Sequence, residues 1–145
     1  MAATSRFSLV CVLGLALAGL AQNGAPSSSV SLLPGANSAA ESSAIAYMRT
    51  VMRSEFLYRQ KHKEFARTLA LLVGSGSFTR RMARTDRGDY TVRYSGNGQD
   101  YGLSLVPAAY DDQHRAFYVD QDGTIRAQEG RPANAQSPAL LPKRK

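Results

Sequence analysis

Residues 90–105 read YTVRYSGNGQDYGLSL, and this alternation predicts an antiparallel β-hairpin. The apolar or aromatic residues recur at every second position: Tyr90, Val92, Tyr94, Tyr101, Leu103 and Leu105. Polar or small residues occupy the positions between them, so one face of the hairpin is expected to be buried. The segment Gly96-Asn97-Gly98 supplies the positive backbone angles that a tight turn requires.

Two further short strands are predicted after the hairpin. Phe117 and Val119 begin the third strand, residues 120–123 make a turn, and residues 124–127 return as a fourth strand. The sequence therefore predicts an antiparallel sheet of three to four strands.

A long amphipathic helix is predicted before the strands. Ser38 and Glu41 have the spacing of a capping box, in which the serine oxygen accepts from the third helical amide and the glutamate reaches back. Apolar residues then recur at three- and four-residue spacing: Ala44, Ile45, Met48, Val51, Met52 and Phe56. The helix is expected to end near residues 61–63, and Phe65 to Val73 is expected to form a second, shorter helix. One long helix packed on an antiparallel sheet is an α+β fold.

Glu55 lies within the apolar stripe of the long helix. A partly buried carboxylate there could serve a function, but Arg59 follows four residues later in the orientation that favours a helical ion pair. The sequence therefore favours a structural pair between Glu55 and Arg59.

Residues 1–21 have the pattern of a cleavable export signal. Arg6 provides a positive charge, residues 8–20 are almost wholly apolar, and Gly19 and Ala21 are small residues placed before a cleavage point. The alternative is an uncleaved anchor, although the apolar run is shorter than the roughly 20 residues that span a membrane. Cleavage would leave no stable membrane span and predicts a periplasmic or secreted protein.

The rest of the chain is predicted to hold one domain with polar flanks. Residues 22–37 are rich in Ser, Pro, Gly and Ala and are interpreted as a flexible linker. Residues 38–130 form the predicted α+β domain, and residues 131–145 are interpreted as a disordered basic tail.

The formal charge of +7 favours anionic partners. The candidate polyanion-binding residues form two clusters: Arg80, Arg81, Arg84 and Arg87, and Lys143, Arg144 and Lys145. A solvated surface explains the same residues without a ligand. No aromatic residue alternates with the arginines, so any nucleic-acid binding is expected to be nonspecific.

The sequence predicts neither catalysis nor a cofactor. His62 and His114 are the only histidines, they lie in different segments, and no nucleophile elbow or phosphate-binding loop occurs. Asp120 and Asp122 before Gly123 are candidates for a calcium loop, which would need further oxygen ligands. A hairpin turn explains these two aspartates without a metal ion.

A family resemblance is carried by residues spread from the helix to the last strands: Ser43 to Val51, Glu55, Tyr58, Phe65, Leu69, Met82, Gly88 to Tyr94, and Phe117 to Arg126. In this order and spacing they resemble the globular head of type IV pilin-like proteins and G-type pseudopilins. The resemblance implies a pilin-like head and protein partners at the cell envelope.

The N-terminal segment departs from the family pattern. Pilins and pseudopilins begin with a short leader, a processed glycine and a phenylalanine-led apolar stem with an early glutamate. Gly14-Leu15-Ala16-Leu17-Ala18 offers neither the phenylalanine nor the glutamate. The expected protein is therefore a head domain without the usual stem, exported in soluble form.

These observations predict an exported, non-enzymatic, pilin-like protein that acts as an interaction or accessory module of an envelope filament or secretion system. The alternative is a nonspecific polyanion-binding protein that uses its basic clusters on DNA.

Overall fold

The computed structural model describes residues 31–141. The predicted signal at residues 1–21, most of the predicted linker and the terminal Lys143-Arg144-Lys145 lie outside the described residues. Within residues 31–141, no helix is both long enough and apolar enough to cross a membrane.

The described chain forms one α-helix followed by an antiparallel sheet, which confirms the α+β class. The elements are α1 (Ala39–His62), β1 (Asp86–Arg87), β2 (Tyr90–Gly96), β3 (Tyr101–Pro107), β4 (Ala116–Asp120) and β5 (Arg126–Gln128). Short 3₁₀ turns occupy Leu69–Leu72 and Arg80–Ala83, between α1 and β1.

Both ends of α1 follow from local residue chemistry. Ser38 is the N-cap, and its Oγ accepts from the amide of Glu41 at 3.1 Å. The Glu41 carboxylate reaches back one residue further than a standard capping box, to the amide of Asn37 at 2.7 Å. At the other end Lys63 adopts a left-handed conformation, with φ of 64°, and its amide donates to the Arg59 carbonyl. The predicted helix end is confirmed.

One face of α1 packs on the sheet, with one exception to the predicted stripe. Ile45, Met48 and Val51 are fully buried. Phe56 was predicted on the same stripe, but its side chain is 52% exposed. It follows the buried Glu55 directly, and successive helical residues are turned by about 100°, which carries Phe56 to the margin of the buried arc.

The sheet has five strands rather than three to four. Its order is β1-β2-β3-β4-β5, with every neighbouring pair antiparallel. The additional strand is the two-residue β1, which lies within the arginine-rich segment interpreted as a loop. Gly88, with φ of 67°, allows the chain to fold back directly into β2.

The buried face of the sheet alternates as the sequence predicts. Its core side chains are Tyr90, Val92, Leu103, Leu105, Phe117 and Val119, all at most 3% exposed. They join the α1 residues in one hydrophobic cluster. Thr91, Arg93 and Ser95 alternate with them on β2 and are exposed.

The predicted second helix at Phe65 to Val73 is wrong. Only Leu69–Leu72 is helical, as a 3₁₀ turn. Residues 65 and 66 are instead docked on the hairpin, where the amide of Phe65 donates to the Gly98 carbonyl at 2.8 Å. A Cβ atom on Gly96 would lie 2.1 Å from the Ala66 carbonyl oxygen, so this approach requires glycine. Gly98, not Gly96, supplies the positive φ of the turn.

The predicted ion pair between Glu55 and Arg59 is also wrong. The Arg59 guanidinium lies 4.5 Å from the centroid of the Phe65 ring. Glu55 is buried and accepts from the Ala66 amide at 3.1 Å and from the Tyr94 hydroxyl. Burial raises the pKa of Glu55 more than these two hydrogen bonds lower it.

The Tyr94 hydroxyl contacts both the Glu55 carboxyl and the backbone of Ala66. The Tyr94 hydroxyl oxygen lies within hydrogen-bonding distance of both Glu55 and the Ala66 carbonyl, the latter at 2.6 Å. A phenol has one proton to donate. The Glu55 carboxyl and the Ala66 carbonyl therefore share the single proton of the Tyr94 hydroxyl.

The two flanks were predicted to be flexible, but the parts that the structure describes are packed on the domain. The Leu33 amide donates to Ser42 Oγ, and Leu33 packs against the core. In the predicted tail, the Leu140 amide donates to the Ile125 carbonyl at 2.8 Å and Ala133 is buried. A few apolar side chains and backbone pairing beside β5 thus hold residues that are polar in composition.

We expect Glu55→Gln to remove a pH dependence of stability. Folding raises the pKa of Glu55, so this carboxyl ionises at a lower pH in the unfolded chain than in the folded one. It therefore reduces the stability of the fold as pH rises above the ordinary pKa of a glutamate. The uncharged amide keeps an oxygen that can accept from the Ala66 amide. Urea unfolding should show the free energy of unfolding of the variant rising relative to that of the wild type as pH increases above about 4. A difference in unfolding free energy between the variant and the wild type that does not change with pH would contradict the raised pKa of Glu55.

Candidate functional site

A groove lies between the N-terminal half of α1 and the arginine-rich segment, here residues 80–89. Its volume is about 780 Å³. The helix wall is made of small residues: Ala39, Ala40, Ser43 and Ala44. Tyr47, Tyr90 and Leu105 add larger apolar surface. The groove is open because small side chains face the segment that passes over the helix.

Tyr47 and Arg87 fix the arginine-rich segment against α1. The Tyr47 hydroxyl donates to the Met82 carbonyl at 3.0 Å, and Arg87 Nη2 donates to the same oxygen at 3.1 Å. The Arg87 guanidinium also lies 4.0 Å from the centroid of the Tyr47 ring. Burial raises the pKa of the Tyr47 phenol, although Arg87 opposes this shift. Arg87 is therefore committed to shaping the groove.

Arg81 and Arg84 line the groove as exposed cations. They lie three residues apart, at a 3₁₀ turn and its C-cap, and residues at that spacing are stacked on one side of a 3₁₀ helix. Neither forms an ion pair with another residue in the described range 31–141. Arg80 is exposed but does not line the groove.

Three of the four clustered arginines predicted from the sequence therefore meet at one surface, with Arg80 beside it. The sequence did not predict Ser43, Tyr47, Asp86 or Asp89 as members of this site. The sequence signal for the groove was the set of small residues at Ala39, Ala40, Ser43 and Ala44. Small side chains on one helix face leave space between that face and the segment that passes over it.

The groove also contains two carboxylates. Asp86 Oδ1 accepts from the Gly88 amide at 3.0 Å, which supports the β1–β2 turn. Asp89 Oδ2 lies 3.8 Å from His114 Nε2 at the end nearest the β3–β4 connection. The groove is thus mixed in charge, and Arg81 and Arg84 are its exposed cations.

The N-terminal end of α1 beside the groove is held by Glu41 and Arg115. Glu41 is fully buried, and its oxygens accept from Arg115 Nε at 2.9 Å and Nη2 at 2.7 Å. Burial alone would raise the pKa of Glu41, but hydrogen bonds from Arg115 and Asn37 outweigh it and lower that pKa. Ser38 Oγ also donates to the Gln113 carbonyl, so the helix start is tied to the β3–β4 connection.

The calcium candidates Asp120 and Asp122 are engaged in the β4–β5 turn. Asp120 Oδ1 accepts from the Asp122 amide, and Asp122 Oδ2 pairs with Arg126 Nη2 at 2.8 Å. Hydrogen bonding to the Thr124 amide is the main cause that lowers the pKa of Asp122. Within residues 31–141, no group of three or more His, Cys, Asp or Glu side chains is arranged to hold a metal ion.

Comparison with known proteins adds no family assignment. No protein-family model matches the chain, and no significant match was found among curated proteins or among solved structures. The pilin-like resemblance therefore rests on the sequence pattern, and the groove between α1 and residues 80–89 is the candidate functional site.

Proposed function

We propose that this chain is an exported, non-enzymatic, pilin-like protein that acts as an interaction or accessory module of an envelope filament or secretion system. The order of its elements supports the proposal, because a 24-residue helix packs on a sheet of consecutive antiparallel strands. The export pattern at residues 1–21 supports a periplasmic or secreted location.

The groove is the surface through which this module binds its partner. The observation that carries this step is the pairing of an open apolar wall with Arg81 and Arg84, two exposed cations that have no ion-pair partner in residues 31–141. Both hydroxyls that α1 brings to the groove are engaged within the protein: Ser43 Oγ donates to the Ala39 carbonyl at 3.0 Å, and the Tyr47 hydroxyl donates to the Met82 carbonyl. The arrangement favours binding over bond-making chemistry.

Site-specific photocrosslinking in the producing cell tests this proposal. We expect a photoreactive residue at Ser43 to give a discrete adduct with an envelope filament or secretion component. The same residue at Ala46, which is exposed on α1 but does not line the groove, should give none. Mass spectrometry of the exported protein should also find a mature terminus at Gln22. Equal adducts from both positions, or retention of residues 1–21 in a membrane fraction, would contradict the proposal.

A second candidate function is nonspecific polyanion binding. The observation that favours it is that Arg80, Arg81 and Arg84 are all exposed within one short segment and form no ion pair in the described chain. Closely spaced arginines attract phosphate backbones through long-range electrostatics.

The salt dependence of DNA binding tests this second function. If the arginines bind phosphates, affinity for any duplex should fall with salt, and replacing Arg80, Arg81 and Arg84 by Gln should flatten the slope by up to about three phosphate contacts. Replacing Arg49, Arg53 and Arg93 by Gln is the matched control, because these exposed arginines lie elsewhere. Equal changes in the two triple variants would show that only total charge matters.

A further inference from the structure

We infer that the groove binds an extended acidic segment of a protein partner, with its carboxylates at Arg81 and Arg84 and the rest of the segment against the small residues of α1. This inference rests on the proposed interaction function and names the chemistry of the partner. It depends on three features: the size of the groove, the availability of Arg81 and Arg84 for a ligand, and the carboxylates among the lining residues.

The size of the helix wall suits a short stretch of extended chain. Ala39 and Tyr47, which both line the groove, are eight residues apart in α1. At a rise of 1.5 Å per residue, the part of α1 that lines the groove is about 12 Å long. An extended peptide advances about 3.3 Å per residue, so about four residues fit along it.

The state of the arginines indicates an anionic ligand. Arg87 already donates to the Met82 carbonyl and lies over the Tyr47 ring. Arg81 and Arg84 have no such commitments among the described hydrogen bonds and ion pairs, and both are exposed at the rim. A guanidinium binds a carboxylate through two parallel hydrogen bonds, which gives both energy and orientation.

The carboxylates of the groove favour a peptide over a nucleic acid. Asp86 and Asp89 line the same surface as the arginines. A nucleic-acid strand carries a negative charge at every phosphate, so it would place charges against these two aspartates. A peptide can place a neutral or basic residue there and still bring carboxylates to Arg81 and Arg84.

The small residues of the helix wall let a bound chain approach α1 closely. Ala39, Ala40 and Ser43 leave room that a larger residue on the helix would fill. Ser43 is exposed, so a substitution there changes the groove without entering the core. Ala46 is exposed two positions beyond the wall and does not line the groove, so it offers a matched site on the same helix.

Fluorescence anisotropy with the purified exported protein tests the inference. The probes are a labelled peptide of alternating Glu and Ala with one terminal Lys, the same peptide with Gln in place of Glu, and a labelled oligothymidylate of similar length. The groove variants are Ser43→Phe, which fills the wall, and the double variant Arg81→Gln/Arg84→Gln. Their controls are Ala46→Phe and Arg80→Gln/Arg93→Gln, which make the same chemical changes at exposed positions outside the groove.

We expect the Glu peptide to bind more tightly than the Gln peptide at physiological salt. Arg81→Gln/Arg84→Gln should weaken that binding by at least about tenfold, the effect of losing charge-assisted contacts. Ser43→Phe should weaken it by a similar factor because its ring occupies the space of the bound chain, while each control stays within about twofold of the wild type. Thermal unfolding should show all four variants folded.

Three outcomes would overturn the inference: no preference for the Glu peptide, no effect of Ser43→Phe, or equal losses in groove and control variants. Tighter binding of oligothymidylate that responds equally to both double arginine variants would assign the surface to polyanions. A Ser43 crosslink to an envelope component that the Glu peptide does not displace would leave the interaction function standing and reject only the acidic segment.

Discussion

The position of α1 on the sheet depends on one ion pair, between the buried Glu41 in the first turn of the helix and the partly buried Arg115 just before β4. The Glu41 carboxylate accepts from the Arg115 amide and side chain and from the Asn37 amide, and Arg115 Nη2 also donates to the Gly35 carbonyl at 2.6 Å. The pair thus joins the chain before the helix, the helix start and the sheet. Because Ala39 and Ala40 line the groove beside this junction, the same pair sets one end of the candidate site.

Two buried glutamates hold α1 by opposite electrostatic means. Glu41 has a cationic partner, its pKa is lowered, and its stabilising contribution is present above the ordinary carboxyl pKa and lost as pH falls through the lowered value. Glu55 has a phenol and an amide as partners, its pKa is raised, and its ionisation costs stability as pH rises. The helix therefore has a buried carboxylate paired with a cation at its start, and a buried carboxyl held by the neutral groups of Tyr94 and Ala66 near its end.

Features set by local sequence could be predicted, and features set by distant contacts could not. The α1 start follows from Ser38 and Glu41, and the β2–β3 hairpin follows from alternation in residues 90–105. Arg115 lies 74 residues from Glu41, so no local pattern indicated that pair. The prediction of a second helix was wrong for the same reason, because Phe65 packs against the hairpin turn, which is distant in sequence. Clustered arginines were visible in the sequence, but the groove that Arg81 and Arg84 share with the small residues of α1 exists only after folding.

The most direct test of this account is the free energy of unfolding of three variants in urea at neutral pH. Arg115→Met should lose about 3–5 kcal/mol, because it leaves the Glu41 carboxylate buried without its cation. The double variant Glu41→Met/Arg115→Met should lose less than Arg115→Met alone, since no buried charge remains, and Arg49→Met at an exposed position of α1 provides the control. A loss for Arg115→Met below about 1 kcal/mol, the range of exposed pairs, would contradict the claim that this pair anchors the helix to the sheet.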